Sequence, residues 1–256
     1  MAIQAPKLAS RDIVELQREI DAARDSAIIH LPAGVIRGCL VIDKPIVLRG
    51  RGPDETTLDG WGKGPVLSID VKGEVRIEEL TITGGRAGMG GAIAIDNGAT
   101  VFVSGCLIQR NSARLGRGGA IAVDHGRLHV RECTIVDNRA QLGGAIFVGG
   151  RARCEISASI LANNDATRGG AFAAIDDAEV EVWTSRFEHN RAESEGAHVY
   201  TYGTLTRAPR IAITNTLVGE TDEGSLPIAN HRVRKASVVI EDSSVAREHV
   251  PSMVVG

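Results

Sequence analysis

The chain has 256 residues, a formal net charge of −3 at pH 7 and 3% aromatic residues. This balance lacks the basic surface typical of duplex-binding proteins, so no nucleic-acid partner is expected. No apolar stretch is long enough to span a bilayer and the N-terminus does not resemble a secretory signal, so we expect a cytoplasmic protein, or one exported by a route that the sequence does not show.

The first predicted element is an amphipathic helix over residues 10–27. Ser10 is a plausible N-cap, and Asp12 and Glu15 lie favourably in the first turn. The apolar face is formed by Ile13, Leu16, Ile20 and Ala23. This pattern predicts that the helix covers an apolar end of the domain.

A short motif then returns at a nearly constant period. Gly-Gly-Ala units followed by an apolar residue begin 28, 25, 26 and 26 residues apart, if a degenerate fifth copy is included. The copies are Gly90–Ile93, Gly118–Ile121, Gly143–Ile146, Gly169–Phe172 and Glu195–His198. A fixed period in this range is typical of repeat architectures, in which each unit buries its apolar face against its neighbours.

Each repeat also contains a strand whose apolar and polar residues alternate, which indicates one buried face. These strands are centred on Val75–Ile77, Val101–Val103, Leu128–Val130, Cys154–Ile156, Val180–Val182, Ile211–Ile213 and Val238–Ile240. With two further short strands per repeat and no helical segment between them, each strand is expected to pair with its equivalent one rung away. The result is a coil of three strands per rung, capped by the first helix.

One asparagine recurs at the same register in four repeats. The four residues are Asn111, Asn138, Asn164 and Asn190. An asparagine amide bonds readily to local backbone groups, and stacked amides can bond to each other. We interpret the row as an internal ladder, with a ligand-binding row as the alternative.

These features resemble the right-handed parallel β-helix of the pectate-lyase-like superfamily, to which the turn Leu31-Pro32-Ala33-Gly34 also fits. The Gly-Gly-Ala units resemble the repeats of polymorphic outer membrane proteins. The resemblance implies one all-β domain over residues 1–256, with a capping helix at 10–27, about eight rungs at 28–245 and a tail at 246–256. Because the superfamily includes lyases, hydrolases, epimerases, adhesins and inert scaffolds, the fold does not fix the function.

The four cysteines include two at equivalent repeat positions. Cys106 and Cys133 are expected to stack on neighbouring rungs as reduced core thiols, although their spacing alone would permit a disulfide. Cysteine and histidine spacing typical of metal sites is absent from the sequence, so we expect neither a metal nor another cofactor.

In the enzymes of the resembled superfamily, substrates lie along the outer face of the first strand of each rung. Here the alternation places His129, Glu155 and Glu181 outward on neighbouring rungs, and these are the candidate catalytic residues. Two carboxylates at this spacing fit a retaining glycosidase. The candidate substrate-binding residues are Arg127, Arg131, Arg153, Trp183, Tyr202 and Arg210. The alternative interpretation is a solvated surface with weak ion pairs.

One connection is longer than the others. Residues 200–207 are predicted to form a loop that carries both tyrosines of the chain and lies beside Glu181, Trp183 and Arg210. The remaining turns are short, which disfavours the deep cleft of a polysaccharide-degrading enzyme.

The alanines of the Gly-Gly-Ala units give a further hypothesis. We interpret them as a tight corner that requires small residues. The alternative, if the residues after them point inward, is a flat outer stripe suited to self-association or to a protein partner. The stripe would consist of Ala92, Ala120, Ala145 and Ala171. We predict a binding or interaction scaffold that faces a glycan, with a carbohydrate-active enzyme as the alternative and a homo-oligomer as a third option.

Overall fold

Parallel strands stacked into long sheets dominate the computed structural model, which describes residues 12–204, 207–219, 228–231, 237–241 and 243–245. Successive turns of the chain place equivalent strands beside each other, and the strands pair in parallel. The predicted right-handed parallel β-helix is therefore confirmed. The predicted N-cap Ser10 and the tail at 246–256 lie outside the described residues.

Two nine-stranded sheets form the largest walls of the solenoid. Sheet 1 contains Ala27–His30, Ile46–Arg49, Glu74–Glu78, Thr100–Ser104, Arg127–Arg131, Arg153–Ser157, Glu179–Trp183, Arg210–Thr214 and Ser237–Glu241. Sheet 2 contains Gly34–Arg37, Thr56–Asp59, Thr81–Thr83, Leu107–Gln109, Thr134–Val136, Ile160–Ala162, Arg186–Glu188, Leu217–Val218 and Ser244–Val245. The predicted alternation is confirmed in sheet 1, where the second and fourth residues of the central strands are buried.

Two smaller sheets complete the coil, so the prediction of three strands per rung was wrong for its central part. Sheet 3 contains Ser112–Arg117, Arg139–Leu142, Asp165–Arg168 and Arg191–Glu195. Sheet 4 contains Leu40–Ile42, Leu67–Asp70, Ile93–Asp96, Ile121–Val123, Ile146–Val148, Phe172–Ile175, Val199–Tyr202 and Ile228–His231. Each sheet 3 strand buries a single alanine, so the sequence of these strands shows no apolar alternation.

The capping helix, α1, is shorter than predicted. It covers Ile13–Ala22, because the Asp12 side chain accepts a hydrogen bond from the Val14 amide at 3.0 Å and Ala23 already has an extended backbone. Leu16 and Ile20 are buried against the apolar end of the solenoid, as the amphipathic pattern predicts.

The helix also supplies hydrogen bonds to the backbone of an edge strand. The Gln17 side-chain amide donates to the Val41 carbonyl and accepts from the Val41 amide, both at 2.9 Å. Val41 lies on the first strand of sheet 4, which has a neighbouring strand on one side only. Gln17 thus takes the hydrogen bonds that a further strand would otherwise make, and so protects the edge from pairing with another chain.

The asparagine ladder is confirmed. Asn111, Asn138 and Asn164 each donate through Nδ2 to the Oδ1 of the next ladder residue, at 3.1, 3.0 and 2.9 Å. The amide of Asn190 continues to Nδ1 of the buried His198 at 3.2 Å, and His198 Nε2 donates to the Gly219 carbonyl at 3.0 Å. Buried amides that bond in this way need no ligand, so the ligand-binding alternative is not supported.

A second internal ladder lies at the corner between sheets 1 and 2. Backbone amides of Cys133 and Ser159 donate to the hydroxyls of Ser159 and Ser185 at 3.1 and 3.2 Å, and the Ser185 amide donates to Thr216 Oγ1 at 3.3 Å. Cys106 occupies the equivalent position one rung before Cys133, and both thiols are free and buried, as predicted. Burial raises the pKa of the Cys106 thiol, which keeps it protonated.

The alanines of the Gly-Gly-Ala units face the core, so the alternative of an outer stripe is not supported. Ala92, Ala120, Ala145 and Ala171 are all fully buried in the main apolar cluster. The preceding glycines explain the geometry, because the first of each pair has a left-handed backbone (φ of 66° at Gly118) and the second lies against the next rung. The interpretation of the motif as a tight corner is thus confirmed.

The fifth copy of this motif is shifted by one residue relative to the prediction. Val199, rather than His198, pairs with Phe172, and Gly196 has the left-handed backbone of the first glycine. The cause is one extra residue in the sheet 3 strand Arg191–Glu195, where the register slips between Ala166 and Arg168. His198 therefore takes the place of a corner alanine, which brings its ring to the end of the asparagine ladder.

Candidate functional site

The outer face of sheet 1 brings the candidate catalytic residues together. His129 pairs in register with Phe102 on one side and Glu155 on the other, and Glu155 pairs with Glu181. Since the register places these side chains at the third position of five-residue strands, they form one column along the solenoid axis. The predicted neighbourhood of His129, Glu155 and Glu181 is thus present, and their chemical roles remain a proposal.

The column is a continuous series of contacts. The guanidinium carbon of Arg76 lies 4.5 Å from the centre of the Phe102 ring, and this ring stacks on His129 with centroids 4.4 Å apart and planes at 8°. His129 Nδ1 is 3.0 Å from Glu155 Oε2. A carboxylate oxygen accepts hydrogen bonds, so His129 donates through Nδ1 in this contact.

A groove of about 710 Å³ runs beside this column, toward the carboxyl ends of the sheet 1 strands. Its lining combines aromatic rings, arginines and carboxylates, among them Arg76, Phe102, His129, Arg131, Glu155 and Trp183. Trp183 is the last residue of its strand and remains 38% exposed. We call this feature the sheet 1 groove.

A second depression, of about 530 Å³, continues the groove around the corner toward sheet 2. Ala158 and Thr184 line both depressions, and each has a left-handed backbone that turns the chain between the two sheets (φ of 47° and 52°). Together the depressions extend from Arg76 to Leu217, across six successive rungs of the solenoid. At about 4.8 Å per strand this amounts to roughly 24 Å.

The remaining predicted arginines lie at the amino ends of the sheet 1 strands, away from the groove. Arg127, Arg153 and Arg210 are the first residues of their strands, whereas Arg131 and Trp183 are the last. The Glu179 carboxylate pairs with Arg153 at 2.8 Å and with Arg210 at 3.2 Å. These are exposed ion pairs, which contribute little stability. Of the predicted binding residues, the groove collects only Arg131 and Trp183.

The strands leave a longer connection of residues 203–209 before Arg210, as predicted, but the two tyrosines were wrongly placed in it. Tyr200 and Tyr202 lie in the sheet 4 strand Val199–Tyr202, and Tyr202 pairs with Ile175. Tyr200 is buried beside Phe147 in a small cluster on the outside of sheet 4, where the Arg168 guanidinium lies 5.7 Å from its ring centre. Tyr202 thus lies on sheet 4, whereas Trp183 is the last residue of a sheet 1 strand. The tyrosines therefore do not join Trp183 and Arg210, which lie on sheet 1 with Glu181.

Arg76 and Phe102 precede His129 in this column and were not among the predicted site residues. Phe102 stacks on His129 and Arg76 lies over the Phe102 ring, and both residues line the groove. Within the residues that the structure describes, no cluster of three or more histidine, cysteine or acidic side chains is arranged to hold a metal ion. In the same residues, no helix has the length and apolar character needed to cross a membrane.

Comparisons with known proteins agree with this architecture. A family model described as a right-handed beta helix region matches residues 49–207. A solved structure of a pectin methylesterase variant in complex with a hexasaccharide is similar with a TM-score of 0.53, at 13% identity over 92% of this chain and 86% of that one. At this identity the likeness concerns the fold alone. No curated protein matches significantly, and these findings do not bear on the resemblance to polymorphic outer membrane proteins.

Proposed function

The chain belongs to the right-handed beta helix family, and from this premise we propose that it binds an extended saccharide in the sheet 1 groove. The family fold and the likeness to a pectin methylesterase suggest a carbohydrate-related role. The proposal adds a location and a mode of binding to that role.

The observation that carries the proposal is the combination of side chains in one groove. Trp183 offers an aromatic surface that is still exposed, and Phe102 and His129 form a stacked pair farther along the same groove. Sugars present apolar C–H faces and polar hydroxyl edges, so they suit a site that combines aromatic rings with a few oriented polar groups. Arg131 and Glu155 supply a donor and an acceptor for hydroxyl or carboxylate groups.

The combined length of the sheet 1 groove and the second depression favours a saccharide chain over a single sugar as the ligand. The two depressions share Ala158 and Thr184 and extend along the solenoid axis, and their floor repeats with the strand spacing. A polymer of similar units can make similar contacts on successive rungs. We therefore expect affinity to rise with oligosaccharide length until the groove is filled.

We expect Trp183→Ala to weaken oligosaccharide binding by about ten- to a hundredfold, because a tryptophan that covers a ligand contributes apolar burial on the order of 1.5–3 kcal/mol. The measurement is calorimetric titration with neutral and uronate-containing oligosaccharides. Trp61→Ala is the matched control, since Trp61 is exposed but lies outside the groove. Equal losses in both variants, or none in Trp183→Ala, would contradict the proposed site.

A second candidate function is catalysis, and the contact between His129 and Glu155 favours it. A histidine held by a carboxylate is a common general acid–base arrangement, and Glu181 stands on the next rung. If the protein cleaves saccharides, Glu155→Gln and Glu181→Gln should each abolish the formation of new reducing or unsaturated ends without lowering the melting temperature. Glu193→Gln on sheet 3 is the control. Unchanged rates in the first two variants would rule out this chemistry.

A further inference from the structure

Three consecutive corner segments form a surface that the proposed function does not use. Residues 61–64, 85–89 and 112–117 stack on successive rungs, since Arg86 donates its amide to the Gly64 carbonyl at 2.9 Å and Met89 pairs with Arg117. The first two segments connect sheets 2 and 4, and the third is the first strand of sheet 3. This corner lies beyond sheet 2 along the chain and is separate from the sheet 1 groove.

Each segment presents one exposed apolar side chain and at least one cation. Leu115 is 93% exposed, Trp61 67% and Met89 38%. We call the whole set the basic corner patch, and it consists of Trp61, Lys63, Arg86, Met89, Arg114, Leu115 and Arg117. Scattered exposed apolar residues are ordinary, but three on neighbouring rungs form a continuous feature.

The cations of the patch differ from those farther along the same corner. Arg139 pairs with Asp165 at 3.3 Å, and Arg168 pairs with Glu195 at 3.2 Å. By contrast, no carboxylate of the described residues lies within ion-pair distance of Lys63, Arg86 or Arg114, nor of Arg117.

The few interactions inside the patch leave its positive charge uncompensated. Lys63 Nζ lies 5.1 Å from the centre of the Trp61 ring, and the Arg117 guanidinium lies 5.0 Å from that of Phe147. The neighbouring acid, Asp59, accepts the Trp61 amide at 2.9 Å and pairs with Arg37 at 3.7 Å. The patch thus combines positive charge with apolar side chains that stand in water.

We propose that the basic corner patch binds the surface of an anionic lipid bilayer. Such a surface supplies negative headgroups for the cations, and below them an apolar layer that accepts a protruding leucine and a tryptophan. A soluble polyanion would satisfy the arginines but leave Leu115 in water. The patch therefore fits an interfacial contact, in which the solenoid lies on the membrane without crossing it.

The test is co-sedimentation with vesicles of phosphatidylcholine alone and of phosphatidylcholine mixed with phosphatidylserine. We expect binding only to the mixed vesicles. The double variant Arg86→Gln with Arg114→Gln should bind about thirtyfold more weakly, because each cation near such a surface contributes roughly 1 kcal/mol. Lys72→Gln with Arg151→Gln is the matched control, since it removes the same charge from exposed positions elsewhere.

Leu115 distinguishes a lipid surface from a soluble polyanion. We expect Leu115→Asp to abolish vesicle binding and Leu115→Trp to strengthen it, while neither changes the melting temperature because the side chain is almost fully exposed. Dextran sulfate serves as the soluble probe. The proposal is overturned by absence of binding to the mixed vesicles, by equal losses in the two double variants, or by vesicle binding that Leu115→Asp leaves intact while dextran sulfate competes for it.

Discussion

Replacing Asn164 with alanine is expected to lower the free energy of unfolding by about 3–5 kcal/mol. The Asn164 side chain accepts hydrogen bonds from the backbone and side-chain amides of Asn138, at 3.1 and 3.0 Å, and donates to the Ile135 carbonyl and to Asn190 Oδ1, both at 2.9 Å. Alanine removes these partners at once and leaves polar groups unpaired in the interior. The loss should therefore exceed that of a single hydrogen bond.

The measurement is denaturant unfolding followed by circular dichroism. Asn163→Gly is the control, because Asn163 is the exposed neighbour with a left-handed backbone (φ of 53°), which glycine adopts without strain. We expect the control to change stability by less than about 1 kcal/mol. A loss at position 164 no larger than that at 163 would mean that the ladder does not stabilise the coil.

Replacing Gly144 with alanine is the second large perturbation, with an expected loss of about 3 kcal/mol. A Cβ atom at this position would overlap the Gly170 carbonyl oxygen and would stand 2.9 Å from that of Asp165. Both belong to the backbone of the next rung, which cannot move aside as a flexible side chain would. The clash should therefore separate two rungs and weaken the sheet contacts on both sides of the corner.

Gly88→Ala is the matched control for this substitution. A Cβ at Gly88 would meet no atom within 4 Å, and the backbone of Gly88 is outside the left-handed region. We expect its melting temperature to match that of the wild type, and that of Gly144→Ala to fall by several degrees. Tolerance of alanine at position 144 would show that the rungs pack less tightly at the corner than the structure indicates.

The regular part of this fold could be read from the sequence because each rung repeats the same physical requirement. Inward residues of sheet 1 alternate strictly, and an asparagine recurs at the register of Asn138 because its side-chain amide can both donate and accept along the axis. The irregular part could not be read in this way. One inserted residue in Arg191–Glu195 shifted the motif that follows, and no apolar pattern marks the insertion.

The same contrast applies to the candidate site. Strand alternation predicted the column that contains His129 and Glu155, since register on a parallel sheet follows from the repeat. Strand alternation could not predict whether a groove forms at the amino ends or at the carboxyl ends of these strands. The groove forms at the carboxyl ends, where left-handed turns such as Thr184 shape the corner, and so includes Trp183 but not Arg210. Such turns are formed here by different residue types, including Ala158 and Thr184, so the sequence does not reveal their left-handed backbone.

The most direct test of the central claim is a fluorescence titration of the Trp61→Phe variant. The chain has two tryptophans, so Trp183 becomes the sole indole reporter and stands at the sheet 1 groove. If a saccharide binds there, its emission should shift and saturate with oligosaccharides, at lower concentrations for longer chains. Calorimetric binding of the same oligosaccharides with no change in Trp183 emission would place their site elsewhere and contradict the account.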